Sequence, residues 1–260
     1  MNPHDRIIRE QFTKQAEAFS TAPGITDRAA LQLLVEFSGA GSDDVVLDVA
    51  CGPGLVVGAF ARVVREATGI DLTPAMIERA RALAAGEGLA NAKFVEGNVL
   101  PLPFAAESFS IVASRYAFHH FPEPKAVFDE SLRVLRPGGC LLLADVFVSG
   151  DRAKAEAYNR MEKLRDPSHA RAMPLEELQG LFTRAGLPAP REAFYNLEID
   201  LEGLLSRSCP DPGSAEKIRR MFEDSLASDG LGMATRREGG EIHAHYPITV
   251  LAARKPGAGR

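Results

Sequence analysis

The chain has 260 residues, enough for one large domain with a substantial buried core. Thirty Lys and Arg residues against 35 Asp and Glu residues give a formal net charge of −5, so a nucleic-acid partner is not expected. The longest apolar run, Cys140 to Ala144, is too short to span a bilayer, and the charged N-terminus lacks the apolar segment of a signal peptide. Three widely spaced cysteines predict neither disulfides nor a metal site. Composition therefore predicts a globular protein of the cytoplasm without membrane insertion.

Strands and helices are predicted to alternate along the first 150 residues. Two N-terminal helices come first, and Gly39 ends the second. VVLDV (45–49) is a β-branched run typical of a buried strand, and Thr73 with Pro74 is a favourable start for a helix. The predicted strands are 45–49, 66–71, a strand from 92, 109–114 and 140–148, and the helices between them are 55–65, a helix from 73 and 122–135.

The second part of the chain is predicted to be mainly helical. It has helices at 152–165, 174–185 and about 213–227, with strands at 193–199 and 245–252. Because right-handed crossovers leave few alternatives for repeated strand, helix, strand units, the order predicts a doubly wound α/β domain. Its sheet is expected to be mostly parallel, with helices on both faces.

Two features at predicted strand ends indicate a nucleoside site. The first strand runs into a turn of small residues, Asp48 to Gly54, and Asp71 ends the second strand 19 residues after Gly52. Ligands of doubly wound sheets bind beyond the carboxyl ends of the strands, where a carboxylate can accept both hydroxyls of a ribose. A dinucleotide fingerprint would need glycine at Val57, and Asp48 would oppose a pyrophosphate. A ligand with an ammonium and a sulfonium, S-adenosylmethionine, fits better, but a nicotinamide-dependent oxidoreductase stays open as an alternative.

Five motifs extend this interpretation over about the first 150 residues: VLDVACGPG, GIDLTPAMIERAR, FVEGNVLPLPF, SRYAFHHFPEP and RVLRPGGCLLLAD. In order and spacing they resemble the Rossmann-like (class I) S-adenosylmethionine-dependent methyltransferases, in particular the small-molecule branch near the ubiquinone and menaquinone C-methyltransferases. The resemblance implies a seven-stranded sheet with an antiparallel last strand and a helical cap. It also implies one methyltransferase domain over 1–260, with N-terminal helices at 1–40, a cofactor-binding core at 41–150 and cap segments at 151–186 and 200–241.

The resemblance also assigns cofactor contacts. Asp48 would lie near the amino group of the methionine part, against which the turn around Ala50, Gly52 and Gly54 would pack. Asp71 would bind the ribose. The remaining positions are Leu72 and Met76 over the adenine, Asn98 with the backbone of Val99 at the adenine edge, and Ser114 near the methionine part. The family often has Gly where this chain has Ala50 and Asp where it has Asn98; both residues still permit binding.

His119 and His120 are the candidate catalytic residues. Methyl transfer needs a base only when the acceptor atom carries a proton, and histidine suits that role near neutral pH. The pair follows the fourth strand, on the side where the methyl group should be presented, and His119 is the first candidate. Capping of the adjacent helix or substrate packing is the alternative for both.

The expected partner is a small-molecule methyl acceptor, and S-adenosylhomocysteine is the expected product. No metal site is predicted. The insertion at 200–241 should cover the site, although it could instead pad the sheet or form a homodimer contact. A methyltransferase-fold protein with a non-methylating reaction also stays open, because fold alone does not fix function.

Overall fold

The computed structural model describes residues 2–257, which form helices on both faces of one mixed sheet. The helices are α1 Pro3–Thr21, α2 Arg28–Ser38, α3 Leu55–Ala61, α4 Pro74–Gly86, α5 Pro124–Val134, α6 Arg152–Arg165, α7 Leu175–Arg184, α8 Leu201–Arg207 and α9 Ser214–Ser228, with a 3₁₀ turn at Phe118–His120. The strands are β1 Val45–Val49, β2 Glu66–Asp71, β3 Ala92–Glu96, β4 Phe109–Arg115, β5 Leu135–Val148, β6 Met173–Pro174, β7 Arg191–Asp200, β8 Arg236–Glu238 and β9 Glu241–Arg254.

Seven strands of the sheet lie side by side in the order β3-β2-β1-β4-β5-β9-β7. The five strands from β3 to β5 pair in parallel, whereas β9 is antiparallel to both of its neighbours, β5 and β7. The mostly parallel, doubly wound sheet with an antiparallel last strand is therefore confirmed. The sequence missed two short strands, since β6 pairs with β5 and β8 pairs with β9.

The order of the strands reverses between β1 and β4, and this point fixes the location of the site. All five residues of β1 are buried, as expected for the central strand of a sheet covered on both faces. Asp48 of β1 pairs with Gly69 of β2 on one side and Ala113 of β4 on the other. The carboxyl ends of these three strands therefore open at one edge, where doubly wound sheets bind ligands.

Three apolar clusters hold the layers together. One face of the sheet packs on α5 and α7 through Phe128 and Phe182, and the other packs on α2 and α3 through Leu34 and Phe60. A third cluster joins α6, α8 and α9 to the antiparallel end of the sheet, with Phe222 fully buried in it. Burying such side chains supplies the main favourable free energy of folding.

Backbone hydrogen bonds explain two of the differences between predicted and observed boundaries. The helix expected to end at residue 65 stops at Ala61, because the amides of Arg65 and Glu66 donate to the carbonyl of Asp44 and lead the chain into β2. The strand predicted to begin at Cys140 begins at Leu135, so the Pro-Gly-Gly segment belongs to β5. Its glycines exchange backbone hydrogen bonds with Lys255, just after β9, and these bonds join the segment to the sheet.

Candidate active site

A cavity of about 190 Å³, hereafter the first cavity, opens at the carboxyl ends of β1, β2 and β4. Its walls include eight of the ten residues predicted to bind the cofactor: Asp48, Ala50, Gly52, Asp71, Leu72, Met76, Asn98 and Val99. Gly54 and Ser114 do not line it. The hydroxyl of Ser114 donates to the carbonyl of Val49 at 2.9 Å, so this buried residue ties β4 to β1.

The turn after β1 has an unusual backbone. Ala50, Gly52 and Gly54 all have positive φ angles, of 59°, 50° and 81°. A left-handed conformation is costly for alanine, and such strain persists where the surroundings impose it, often at functional sites. Gly54 cannot carry a side chain, since a Cβ there would lie 2.8 Å from both the Cβ of Ala80 and the ring of Phe94. The turn therefore brings the start of α3 against α4 and leaves the backbone facing the first cavity.

Asp71 connects the two loops of the first cavity. Its Oδ2 accepts from the amide of Gly52 at 2.9 Å, and its Oδ1 accepts from the amide of Thr73 at 2.8 Å. Burial raises the pKa of Asp71, and these backbone donors oppose the shift. Each carboxylate oxygen keeps a second lone pair, so a diol can still bind there.

Asp48 lies deeper in the first cavity, with its side chain unsatisfied. The residue is 1% exposed, and neither carboxylate oxygen has a hydrogen-bond partner among the described residues. Burial raises the pKa of Asp48 well above its ordinary value, and the charge of Arg115 opposes that shift. A buried acceptor without a donor is costly, so a cationic ligand group fits this position.

The charge of the first cavity discriminates between the two nucleotide classes. Four acidic residues and one arginine line it: Asp5, Asp48, Asp71, Glu123 and Arg115. Such a surface repels the pyrophosphate of a dinucleotide and attracts the sulfonium and ammonium of S-adenosylmethionine. The electrostatics therefore disfavour the nicotinamide alternative.

Helix α1 reaches the first cavity at Asn98. The side-chain amide of Asn98 donates to Oδ2 of Asp5 at 2.9 Å, and its Oδ1 accepts from the amide of Leu100 at 2.9 Å. Sequence reasoning did not identify Asp5, whose only local signal is its place in the capping box of α1 with Asn2. Its contact with Asn98 depends on how α1 packs, which the sequence pattern does not specify.

A second cavity, of about 260 Å³, adjoins the first. Both are lined by Phe12, Phe19, Ile25, Tyr116 and His120. The other walls come from α1, α6, α8 and the antiparallel strands, and they include Tyr158, Leu204, Tyr246 and Ile248. A ligand in the second cavity therefore lies next to a ligand in the first.

His119 lines the second cavity and is paired with a buried carboxylate. Its Nδ1 lies 2.6 Å from Oδ1 of Asp145, which is 1% exposed. Asp145 also accepts from the backbone amides of His119 and Val146, so the carboxylate is fixed on both sides. Burial lowers the pKa of His119, but the charge and hydrogen bond of Asp145 outweigh it and leave the pKa raised. Asp145 lies on β5 and was not among the predicted site residues.

His120 has different surroundings. Its Nδ1 lies 3.2 Å from both the hydroxyl and the carbonyl oxygen of Ser168, and its ring meets that of Phe12 edge-on at 5.0 Å. Burial, with the charge of His119, lowers the pKa of His120 to about 3. His120 is therefore neutral near neutral pH and sits as a packed wall between the two cavities.

Within residues 2–257 no group of three His, Cys, Asp or Glu side chains could hold a metal ion. Among the same residues, none of the helices combines the length and the apolar character needed to cross a bilayer.

Comparison with known proteins identifies the family. Residues 47–143 match the family model described as "Methyltransferase domain". The uncharacterized methyltransferase YcgJ of Bacillus subtilis is 33% identical over 206 residues, which cover 79% of this chain and 81% of that protein. The crystal structure of YcgJ superposes with a TM-score of 0.82 at 28% identity, covering 89% of this chain and all of the other. The erythromycin 3''-O-methyltransferase of Saccharopolyspora erythraea is 30% identical over 247 residues, covering 86% of this chain and 76% of that protein.

With this fold and these relatives, the chain belongs to the class I S-adenosylmethionine-dependent methyltransferases. The predicted family and enzyme class are thereby confirmed.

Proposed function

We propose that this enzyme methylates a small organic molecule at an atom that carries a proton, with hydroxyl oxygen as the first candidate. The observation that carries the proposal is the His119–Asp145 pair on the wall of the second cavity, directly beside the first. A histidine held by a buried carboxylate is suited to take a proton from an acceptor. The name of the erythromycin relative describes an O-methyltransferase, which also supports oxygen as the atom to test first.

The residues of the first cavity fit S-adenosylmethionine. The unpaired carboxylate of Asp48 would receive the α-ammonium, and Asp71 would bind the ribose hydroxyls while holding Gly52. Leu72 and Met76 would cover the adenine, with Asn98 and Val99 at its edge and Ala50 against the methionine part. When bound, the cofactor supplies the electrophilic methyl group.

The protein's part in the reaction is positioning and proton transfer. His119 would accept the acceptor's proton at Nε2, because Nδ1 is engaged by Asp145. Asp145 fixes the orientation of the imidazole and stabilises the imidazolium. His120, neutral and packed, would shape the passage between the cavities and not exchange protons.

The second cavity is the proposed acceptor site, and a helical cap that belongs to the same single domain would form its walls. Segment 151–186 contributes Tyr158 and Glu162 to the second cavity, segment 200–241 contributes Leu204 and Arg207, and α1 contributes Phe12. These mainly apolar walls would exclude water from the reacting atoms. The size of the second cavity suits a small molecule better than a protein or a nucleic acid.

The cysteines support a cytoplasmic location. Cys51, Cys140 and Cys209 are free thiols, as expected in a reducing compartment.

The test is a screen with an isotopically labelled methyl donor. The purified enzyme is incubated with the donor and a library of small hydroxylated, amino and acidic C–H compounds, and mass spectrometry detects the labelled product together with S-adenosylhomocysteine. We expect an apolar hydroxylated compound to gain the label. His119→Ala should lower its turnover by about a hundredfold or more without changing cofactor affinity.

His243→Ala is the matched control, because His243 lies on β9 and lines neither cavity. Full turnover in His119→Ala would contradict the proposed base. The proposed acceptor class would be contradicted if the label were gained only by compounds whose accepting atom carries no proton.

A further inference from the structure

Arg115 places a buried positive charge at the first cavity. It is the last residue of β4, is 8% exposed and lines the cavity. Of the described residues that line the cavity, no other is a lysine or arginine. Within residues 2–257, no carboxylate oxygen lies within 4.0 Å of an Arg115 nitrogen, so Arg115 forms no salt bridge there. A buried guanidinium without a salt-bridge partner is costly, so an anion from outside the chain fits here.

The hydrogen bonds of Arg115 leave part of the guanidinium available. One terminal nitrogen donates to the carbonyl of Ile25 at 2.8 Å, and the other donates to the carbonyl of Gly24 and the hydroxyl of Tyr116, both at 3.2 Å. Its Nε is buried and has no partner among the described residues. The side chain is thus held in place by neutral groups while one donor stays unsatisfied.

Asp48 is the complementary group in the same cavity. Both of its oxygens are buried acceptors without a donor, as described above, and it does not form a salt bridge with Arg115. Asp48 and Arg115 therefore attract each other without forming a salt bridge, and each keeps a buried polar atom that has no hydrogen-bond partner among the described residues. A ligand that carries both an ammonium and a carboxylate would satisfy both groups.

We propose that Arg115 binds the α-carboxylate of the cofactor's methionine part, opposite Asp48 at the α-ammonium. This inference rests on the proposed placement of the cofactor in the first cavity. Beyond that placement, a pair of buried, oppositely charged side chains would recognise the ammonium and carboxylate of the cofactor's methionine part. Arg115 also holds Gly24 and Ile25, and Ile25 lines both cavities. The same contact therefore positions the loop that forms part of the acceptor site.

The experiment compares two ligands that differ only in the carboxylate. Isothermal titration calorimetry measures the dissociation constants of S-adenosylhomocysteine and decarboxylated S-adenosylhomocysteine. We expect the wild-type enzyme to bind the first more tightly by about tenfold to a hundredfold, because a charge-assisted hydrogen bond is lost with the second. In Arg115→Met this ratio should fall towards one.

Arg136→Met is the matched control. The guanidinium of Arg136 also donates to two backbone carbonyls, those of Glu107 and Ser108, but Arg136 does not line the first cavity. This variant should keep the wild-type ratio. If Arg115→Met does not fold, Arg115→Gln is used, since a side-chain amide can still donate to the Gly24 carbonyl without the charge.

The outcomes separate the inference from the proposal on which it rests. Equal affinity of wild-type enzyme for both ligands, or a wild-type ratio in the neutral Arg115 variant, overturns the role of Arg115 while the cofactor site stands. If the wild-type enzyme binds neither ligand, the placement of the cofactor fails and the inference fails with it. A ratio that falls in the Arg115 variant alone supports the inference.

Discussion

Asp71 shows how one residue can serve both structure and ligand. Its two oxygens already accept from the amides of Gly52 and Thr73, so the carboxylate joins the loops that follow β1 and β2. A ribose diol bound at the same group would use the remaining lone pairs. In the proposed arrangement, the shape of the first cavity and its affinity for the cofactor therefore depend on the same side chain.

Asp71→Ala should accordingly weaken binding of S-adenosylhomocysteine by about 1–3 kcal/mol, through lost charge-assisted hydrogen bonds. Calorimetry on the purified variant measures the change. Asp44→Ala is the control, because Asp44 also accepts from a backbone amide, that of Gly41, but lies outside the first cavity. Unchanged affinity in Asp71→Ala would remove this residue from the cofactor site.

The His119–Asp145 pair predicts a particular pH dependence. A base must be neutral, so kcat/KM should fall as the pH drops below the pKa of His119. Burial favours the neutral ring, but Asp145 outweighs it, and the acidic limb should lie above the ordinary histidine value. Asp145→Asn removes the opposing charge, so the limb should move to lower pH while the maximal rate falls by about tenfold or more. Asp129→Asn, an exposed surface change, should leave the profile as it is. A limb that stays in place in Asp145→Asn would show that another group titrates.

Individual residues of the site were predictable to different degrees. Asp71 and Gly52 could be predicted because Asp71 ends β2 and Gly52 lies in the turn after β1, and neighbouring parallel strands end at one edge. Asp145 lies within the predicted last strand of the parallel part, but nothing local indicates that its side chain meets His119. The contact of Asp5 with Asn98 joins residues 93 positions apart, and only the packing of α1 brings them together.

Among the helices and strands, the turn between β1 and α3 determines how closely α3 approaches α4 and β3 beside the first cavity. Gly54 is the N-cap of α3, and it packs against α4 and β3 through Ala80 and Phe94. The absence of a side chain permits this approach, and the positive φ favours glycine as well. The start of α3 is thereby held against α4 and β3.

Gly54→Ala should therefore destabilise the protein by about 1–3 kcal/mol, since the new methyl group overlaps its neighbours in an unfavourable backbone conformation. Urea unfolding followed by circular dichroism gives the free energy of unfolding. Gly86→Ala is a suitable comparison, because a Cβ at Gly86, at the end of α4, meets no atom within 4 Å. Equal stability of the two variants would mean that the close approach at Gly54 is not required.

Predictability of the whole molecule also has a physical limit. Alternating strands and helices with right-handed crossovers leave little freedom, so the parallel part of the sheet followed from the pattern. The short strands β6 and β8 and the seven-residue helix α8 carry too few residues for a periodic signal. They form because their neighbours are already in place: β8, for example, pairs with β9 in a hairpin. The walls of the second cavity include α8, which explains why the second cavity was less predictable than the first.

The surplus of carboxylates around the first cavity has a consequence for the catalytic cycle. Transfer of the methyl group turns a sulfonium into a neutral thioether, so the ligand loses one positive charge while the wall keeps its acidic side chains. S-adenosylhomocysteine should therefore bind less tightly than S-adenosylmethionine. This difference in affinity should shrink as added salt screens the charges of the acidic side chains. Calorimetry with both ligands over a range of sodium chloride concentrations would measure this, and a salt-independent preference would contradict it. Loss of the positive charge on methyl transfer would then itself promote release of S-adenosylhomocysteine and its replacement by S-adenosylmethionine. Accumulated S-adenosylhomocysteine would inhibit the enzyme only weakly.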